Sequence, residues 1–260
     1  MKDILLIGDM TCFDNIALNC MIPILLSKKK TVSSLPTALV SNAFDYGKYS
    51  IIDTTTYMKD TTEVWEDLGF DFKLIFIGFV ANLGQIDIIK NYISKRKSKI
   101  IIDPIMGDRG ELYNGLDESY IKSYISLMGI ADVILPNETE ARLLTGMKDC
   151  DIEEVGERLI EMGAKAIVIT SAQRDDDHFV YVIDKQRSEK ISYDYVDAVY
   201  SGTGDLFSSI FVNEVSDGKD IFKAAKGASQ TSTRLIKYLA DLGSLKDGDN
   251  IPLNLIIDKI

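Results

Sequence analysis

One histidine, three cysteines and one tryptophan in 260 residues, with no long apolar run, first set limits on what this sequence can do. The histidine, His178, follows Arg174-Asp175-Asp176-Asp177 in a charged connection and reads as a surface loop residue. Ser-His-Asp chemistry and histidine-based metal catalysis are therefore poor candidates. Cys12, Cys20 and Cys150 form no paired spacing and no C-x-x-C. Neither a disulfide framework nor a zinc site is suggested, and a reducing compartment fits best. Basic residues are also short: 29 Lys and Arg stand against 40 Asp and Glu, and the net charge of -11 argues against a broad nucleic-acid surface. Lys28-Lys29-Lys30 and Lys95-Arg96-Lys97 read as solvated helix ends. The first residues run straight into Ile4-Leu5-Leu6-Ile7 without a signal-peptide pattern. No segment approaches the roughly 18 apolar residues of a membrane span. A cytoplasmic protein with neither a membrane nor a nucleic-acid partner is expected. No G-x-x-x-x-G-K-[ST] occurs and no G-x-G-x-x-G follows the first apolar run, which removes the P-loop and the dinucleotide fingerprint.

What is present is ordinary globular material, 46% apolar and 27% charged, enough for one large domain over residues 1–260. Short apolar runs end repeatedly in small or polar residues. They are Ile4–Ile7 before Gly8-Asp9, Ala38–Val40 before Ser41-Asn42, Leu74–Ile77 before Gly78, Ile100–Ile102 before Asp103-Pro104, Val133–Leu135 before Pro136-Asn137, and Ile167–Ile169 before Thr170-Ser171. Continuous rather than alternating apolar character marks strands covered on both faces, as in a parallel sheet. Helical spacing lies between them, as at Ile86, Ile89 and Ile93 and at Val155, Leu159 and Met162. The expected fold is α/β and doubly wound, a mostly parallel central sheet flanked by helices, with ligands beyond the carboxyl ends of the strands. Two further runs, Phe179–Ile183 and Lys190–Tyr193, predict an antiparallel edge hairpin near 179–195, and from Gly204 onward the pattern is mostly helical.

Three clusters carry chemistry. In Val196-Asp197-Ala198-Val199-Tyr200-Ser201-Gly202-Thr203-Gly204-Asp205-Leu206-Phe207, two glycines around Thr203 open a helical pattern. Unpaired backbone N–H groups gather at such a helix start and suit an anion. A carboxylate there would face the anion it shares the site with, which makes sense if Asp205 takes a proton from an attacking hydroxyl while the N–H groups steady a transferring phosphoryl group. The plain alternative is a glycine turn with an aspartate near a helix start. Asp103-Pro104-Ile105-Met106-Gly107-Asp108, continuing to Tyr113, offers Asp103 for a cation or phosphate, or simply a strand stop. In Pro136-Asn137-Glu138-Thr139-Glu140, Asn137 and Glu140 share a helix face and would equally form a capping box.

Asp-Pro-x-Met-Gly-Asp, Pro-Asn-x-x-Glu and Gly-Thr-Gly-Asp, in that order, resemble the ribokinase-like superfamily and its pyridoxal kinase branch of bacterial type. Ala131–Gly146, Val196–Phe207, Ile22-Pro23-Ile24-Leu25, Leu35-Pro36-Thr37-Ala38 and Tyr46-Gly47-Lys48-Tyr49 continue the likeness. The resemblance implies ATP-dependent phosphorylation of the hydroxymethyl group of pyridoxal, pyridoxamine or pyridoxine. Asp205 would be the base, with Gly202, Thr203 and Gly204 over the γ-phosphate. It sets Asp103, Tyr113, Asn137, Glu140, Thr170 and Ser171 on the nucleotide side, with Asp103 and Glu140 near magnesium, admits potassium, and implies a homodimer. The substrate side is expected at Asp9, Thr11, Asn42, Ala43, Phe44 and Phe79. There the chain departs from the family, because Ala43-Phe44 stand where Ser-Asn is usually followed by His-Thr. A kinase for another hydroxymethyl heterocycle, such as hydroxymethylpyrimidine, is the alternative, and a family member kept for binding alone is a third reading.

Overall fold

The computed structural model describes residues 2–198, 200–243, 245–246 and 248–260, so Val199 in the stretch before Asp205 lies outside the described residues. The chain opens with β1 (Lys2–Thr11), α1 (Leu18–Ser27), β2 (Val32–Val40) and a short β3 (Ile51–Asp53). It returns through α2 (Thr55–Asp67) to β4 (Phe72–Ile77), α3 (Leu83–Ser94) and β5 (Lys99–Ile102). A small hairpin, β6 (Gly107–Asp108) with β7 (Glu111–Leu112), precedes α4 (Glu118–Met128), β8 (Val133–Ile134), α5 (Glu138–Thr145) and α6 (Ile152–Glu161). The last strands, β9 (Ala166–Arg174), β10 (Asp177–Asp184) and β11 (Ser188–Tyr193), lead to α7 (Thr203–Ser216), α8 (Ile221–Leu242) and the short α9 (Leu253–Ile256). Among the described helices none is long and apolar enough to cross a membrane.

The main sheet runs in the order β11-β10-β9-β8-β5-β4-β1-β2-β3. Neighbours from β2 through β1, β4, β5 and β8 to β9 are parallel. The pairs at the two edges, β9–β10, β10–β11 and β2–β3, are antiparallel. The reason for the continuous apolar runs is visible in the layers. Ile4 and Leu6 of β1 join the core beneath α1, α7 and α8, whereas Leu5 and Ile7 join the one beneath α2 to α6. Every residue of such a strand is buried on one face or the other. From β1 the chain moves first to β2 and β3 and then to β4 on the opposite side. In open α/β sheets such a reversal is where a crevice beyond the carboxyl ends of the strands is expected, here those of β1 and β4.

All six expected inner strands are present, and the edge hairpin is β10–β11. Two expectations fail at the periphery. His178 is not in a loop: it lies in β10, paired with Tyr193, with its ring stacked on Tyr195 at 4.2 Å. The polar residues before Phe179 continue a strand past the covered part of the sheet, where no apolar signal is required. Arg96 is not a solvated helix end either, because its guanidinium sits 3.4 Å from the centroid of the Tyr92 ring.

Helix α7, which carries Asp205, is held to the sheet by a fully buried Phe211. Phe211→Ala is expected to lower the stability of the fold by about 3 to 5 kcal/mol, read from denaturant midpoints. A loss under about 1 kcal/mol would mean that α7 does not depend on this packing.

Candidate functional site

Asp205 occupies the first turn of α7. Gly202 caps the helix at φ 90° and ψ 6°, and a Cβ there would lie 3.2 Å from Ile16 Cγ2, so both backbone and space call for glycine. The N–H groups of Thr203, Gly204 and Asp205 have no intrahelical carbonyl to meet, which suits them to an anion. The carboxyl Oδ2 of Asp205 accepts the N–H of Ala17 at 2.9 Å. Ala17 precedes α1 at φ 50° and ψ -130°, a costly backbone for alanine. Two helices thus begin at one point.

Asp103 lies just past the end of β5, half-buried, and its Oδ2 accepts the hydroxyl of Ser208 at 2.8 Å. Ser208 stands three residues beyond Asp205 on the same face of α7. Glu140, 3% exposed, accepts the Met106 N–H at 3.1 Å through Oε1 and the Asn137 N–H at 2.9 Å through Oε2. Asn137 Oδ1 accepts the Glu140 N–H at 2.9 Å, which completes a capping box, and Asn137 Nδ2 donates to the Gly107 carbonyl at 2.9 Å. The capping reading therefore holds, and the same bonds tie the β6–β7 hairpin to the start of α5. Tyr113 enters this hairpin's far end, its N–H donating to the Met106 carbonyl at 2.9 Å. Thr170 bridges Asn137 and donates its N–H to the Pro136 carbonyl at 2.9 Å, and the exposed Ser171 follows at φ 55°.

On the opposite side of the crevice, Asp9 at the end of β1 is 7% exposed and its Oδ2 accepts the Thr11 hydroxyl at 3.0 Å. Ala43 is buried, and the Phe44 ring packs edge-on against Tyr49 at 4.6 Å and against Phe79 at 5.8 Å. Asn42 is engaged by its own loop: its Oδ1 accepts the Ser41 hydroxyl, and its Nδ2 donates to the carbonyls of Ala43 and Lys48. Its expected place on the substrate wall is thus taken up with local bonds.

Electrostatics tie the acidic residues together. Burial pushes the Asp205 carboxyl up to about 7, with nearby Asp9 adding to the rise and the Ala17 N–H opposing it. Burial raises Asp103 as well, against the Ser208 hydroxyl and with the charge of Asp205. Glu140 is raised first by burial and then by Asp103, and Asp9 by burial against Thr11. The thiol of Cys20 in α1 is pushed up by burial and by Asp205. Asp9, Asp205, Asp103 and Glu140 therefore form a chain of carboxyl groups in mutual reach. Sequence reasoning missed three parts of it. Ser208 could have been found from its spacing to Asp205, but the Ala17 and Met106 N–H groups are backbone contacts that no side-chain motif announces.

Among the described residues no group of three or more His, Cys, Asp or Glu side chains could hold a metal ion. Magnesium needs no such cage when one or two carboxylates act together with substrate phosphates and water. Asp103 fits that part, with Oδ2 held by Ser208 and Oδ1 accepting no hydrogen bond from the described residues. Both oxygens of Glu140 are engaged by backbone N–H groups, which makes Asp103 the better-fitted of the two expected ligands.

A carboxyl raised from 3.8 to about 7 stabilises the fold in its neutral form below its ordinary value and loses that contribution as pH rises through about 7. In the ligand-free protein, Asp205→Asn is expected to be more stable than the parent at pH 8, and its advantage is expected to shrink by about 2 kcal/mol by pH 5.5. Denaturant midpoints at the two pH values measure this. A constant difference would mean that the carboxyl titrates as it does in water.

The profile of the phosphomethylpyrimidine kinase family matches residues 31–249. A crystal structure of pyridoxal kinase from Lactobacillus plantarum superposes with a TM-score of 0.91 at 26% identity, covering 99% of this chain and 96% of that one. The hydroxymethylpyrimidine/phosphomethylpyrimidine kinase of Aquifex aeolicus is 27% identical over 191 residues, 69% of this chain and 72% of its own length. A Saccharomyces cerevisiae protein provisionally named a pyridoxal kinase is 27% identical over 194 residues, which is 67% of this chain and 62% of the yeast protein's length. With its ribokinase-like sheet and its glycine turn before Asp205, the chain belongs to the phosphomethylpyrimidine kinase family.

Proposed function

We propose that this protein transfers the γ-phosphoryl group of ATP to the hydroxymethyl group of a B6 vitamer, with Asp205 as the general base. The observation that carries the reading is the position of the Asp205 carboxyl, raised to about 7 at the first turn of α7 and fixed by the Ala17 N–H. A base is most useful when it titrates near the working pH. The first-turn N–H groups of Thr203 and Gly204 would face the transferring phosphoryl group and balance its developing charge. As the alcohol oxygen attacks the γ-phosphorus in line, the bond from that phosphorus to the β–γ bridging oxygen breaks, ADP leaves, the alcohol proton passes to Asp205, and no covalent intermediate on the protein is required.

Magnesium, where bound with the nucleotide, would be held by Asp103 and would supply positive charge beside the phosphates. Its own negative surroundings, Asp205 and Glu140, would become less costly with such a charge among them. The pyridoxal kinase name of the Lactobacillus plantarum structure supports the B6 reading. The second reading, hydroxymethylpyrimidine, is favoured by the family profile and the Aquifex aeolicus relative, and by a substrate wall in which Ala43 and Phe44 offer no side-chain hydrogen bond. A homodimer is part of the same proposal.

ATP consumption measured over pyridoxal, pyridoxamine, pyridoxine and hydroxymethylpyrimidine separates the two readings, and turnover of the pyrimidine alone would overturn the first. Asp205→Asn is expected to reduce turnover by roughly 10² to 10⁴ with ATP binding largely kept. An undiminished rate would remove Asp205 from the mechanism.

A further inference from the structure

Asp14 lies between β1 and α1, is 3% exposed, and has no part in the chemistry above. Its Oδ2 accepts the backbone N–H of Ala43 at 2.8 Å, and its Oδ1 accepts the side-chain amide of Asn250. Each of the three segments so joined abuts the site. Residues following Asp14 press on the glycine turn: a Cβ on Gly202 would lie 3.4 Å from the Asn15 carbonyl oxygen as well as 3.2 Å from Ile16 Cγ2. Ala17, next in line, bonds Asp205. Ala43 leads into Phe44, which leans on Tyr49 and Phe79. Asn250 lies beside Ser201, the residue before Gly202. There the Ser201 N–H donates to the Asp249 carbonyl at 3.0 Å and the Ile251 N–H to the Ser201 carbonyl at 3.1 Å.

A polar group in so dry a place is costly unless its bonds are made, and removing one partner leaves the others buried and unanswered. The arrangement is therefore stiff, and it couples two walls of the crevice that are far apart in sequence. We infer that Asp14 is a positioning residue that locks the substrate wall at Ala43-Phe44 to the phosphoryl-side turn at Ser201-Gly202, keeping the reacting alcohol in register with Asp205. The inference rests on the reading under Proposed function for the identity of the two walls. Small displacements at such a junction are expensive for in-line transfer, because proximity supplies much of the rate.

The bonding also says which substitution spares the lock. Asn250 Oδ1 is buried with no hydrogen-bond partner among the described residues, so its amide can turn over. In Asp14→Asn the new Oδ1 accepts from the Ala43 N–H, and the new Nδ2 donates to the Asn250 oxygen once that amide has turned. Asp14→Ala has no such remedy.

The test combines steady-state kinetics with amide hydrogen exchange at residues 12–17, 41–44, 200–204 and 249–251. Asp14→Ala is expected to raise KM for the alcohol by about tenfold or more and to lower kcat, with KM for ATP within about twofold. Mere loss of folded protein would lower kcat and leave both KM values alone. Exchange is expected to quicken at Ala43 and Ser201, and Asp14→Asn to recover most of both effects. Asn250→Ala, which serves if Asp14→Ala does not fold, is expected to reproduce the KM split, and the double variant to be no worse than Asp14→Ala alone. Additive effects, an unchanged alcohol KM, or no recovery in Asp14→Asn would each overturn the proposal. If the parent phosphorylates none of the alcohols, the functional reading fails instead. The lock is then judged by exchange, and unaltered protection at Ala43 and Ser201 in the variants would overturn it.

Discussion

Four carboxyl groups, those of the buried Asp9 and Glu140 and the half-buried Asp205 and Asp103, lie within electrostatic reach of their neighbours at the carboxyl ends of a parallel sheet. Among the described residues, no basic side chain forms an ion pair with any of them. Burying charge without a partner is among the least favourable things a fold can do. The surrounding structure reads as a response to that constraint. Backbone N–H groups from Ala17, Met106 and Asn137 and hydroxyls from Thr11 and Ser208 are directed at the acidic oxygens. The strained backbone at Ala17 and the capping box at Asn137 exist in the same positions, which is where local cost is exchanged for directed donors. The proposed occupant, a nucleotide with its cation, would bring the positive charge that such an arrangement favours.

The parts of the fold that were legible in the sequence are those fixed by burial. Ile4–Ile7, Leu74–Ile77 and Ile100–Ile102 must be apolar throughout because both faces of the sheet are covered, so the residues state the architecture directly. β3, β6 and β7 escape notice because they have three residues or fewer and lie at an edge or apart from the main sheet, where periodicity has no room to develop. His178 was misread for a related reason: it extends a strand beyond the region where the core demands apolar residues. Asp103, Asn137, Glu140 and Asp205 were legible because helix starts and strand ends restrict what can stand there. Asp14 and Asn250 were not, since neither occupies a motif and their bond closes a distance that sequence spacing does not encode.

The two walls of the crevice are unlike in chemistry. On the proposed phosphoryl side Asp205, Asn137 and Glu140 are held by backbone groups and Asp103 by the Ser208 hydroxyl, which leaves little freedom for substitution. On the other side Ala43, Phe44, Tyr49 and Phe79 form an apolar corner, with Asn42 turned into its own loop. Hydrophobic walls discriminate weakly between ligands of similar shape, whereas polar ones reject a ligand that leaves them unpaired. Differences in specificity among relatives of this chain are thus more readily accommodated around Phe44 than around Asp205.

The bond from Ala17 to Asp205 spans 188 positions of the chain, and the one from Asp14 to Asn250 spans 236. Contacts of such range close only after long loops have been brought together, which is slow compared with forming helices or neighbouring strands. During synthesis the early β1–α1 segment must wait for residues 201–205 and then for residue 250 to leave the ribosome. Until then Asp205 is a hydrated carboxylate of ordinary acidity, and the raised basicity on which the proposed role depends does not exist. Completion of folding and the rise in the affinity of Asp205 for a proton are therefore one event, so on the proposed reading a partly made chain would have no base with which to consume nucleotide.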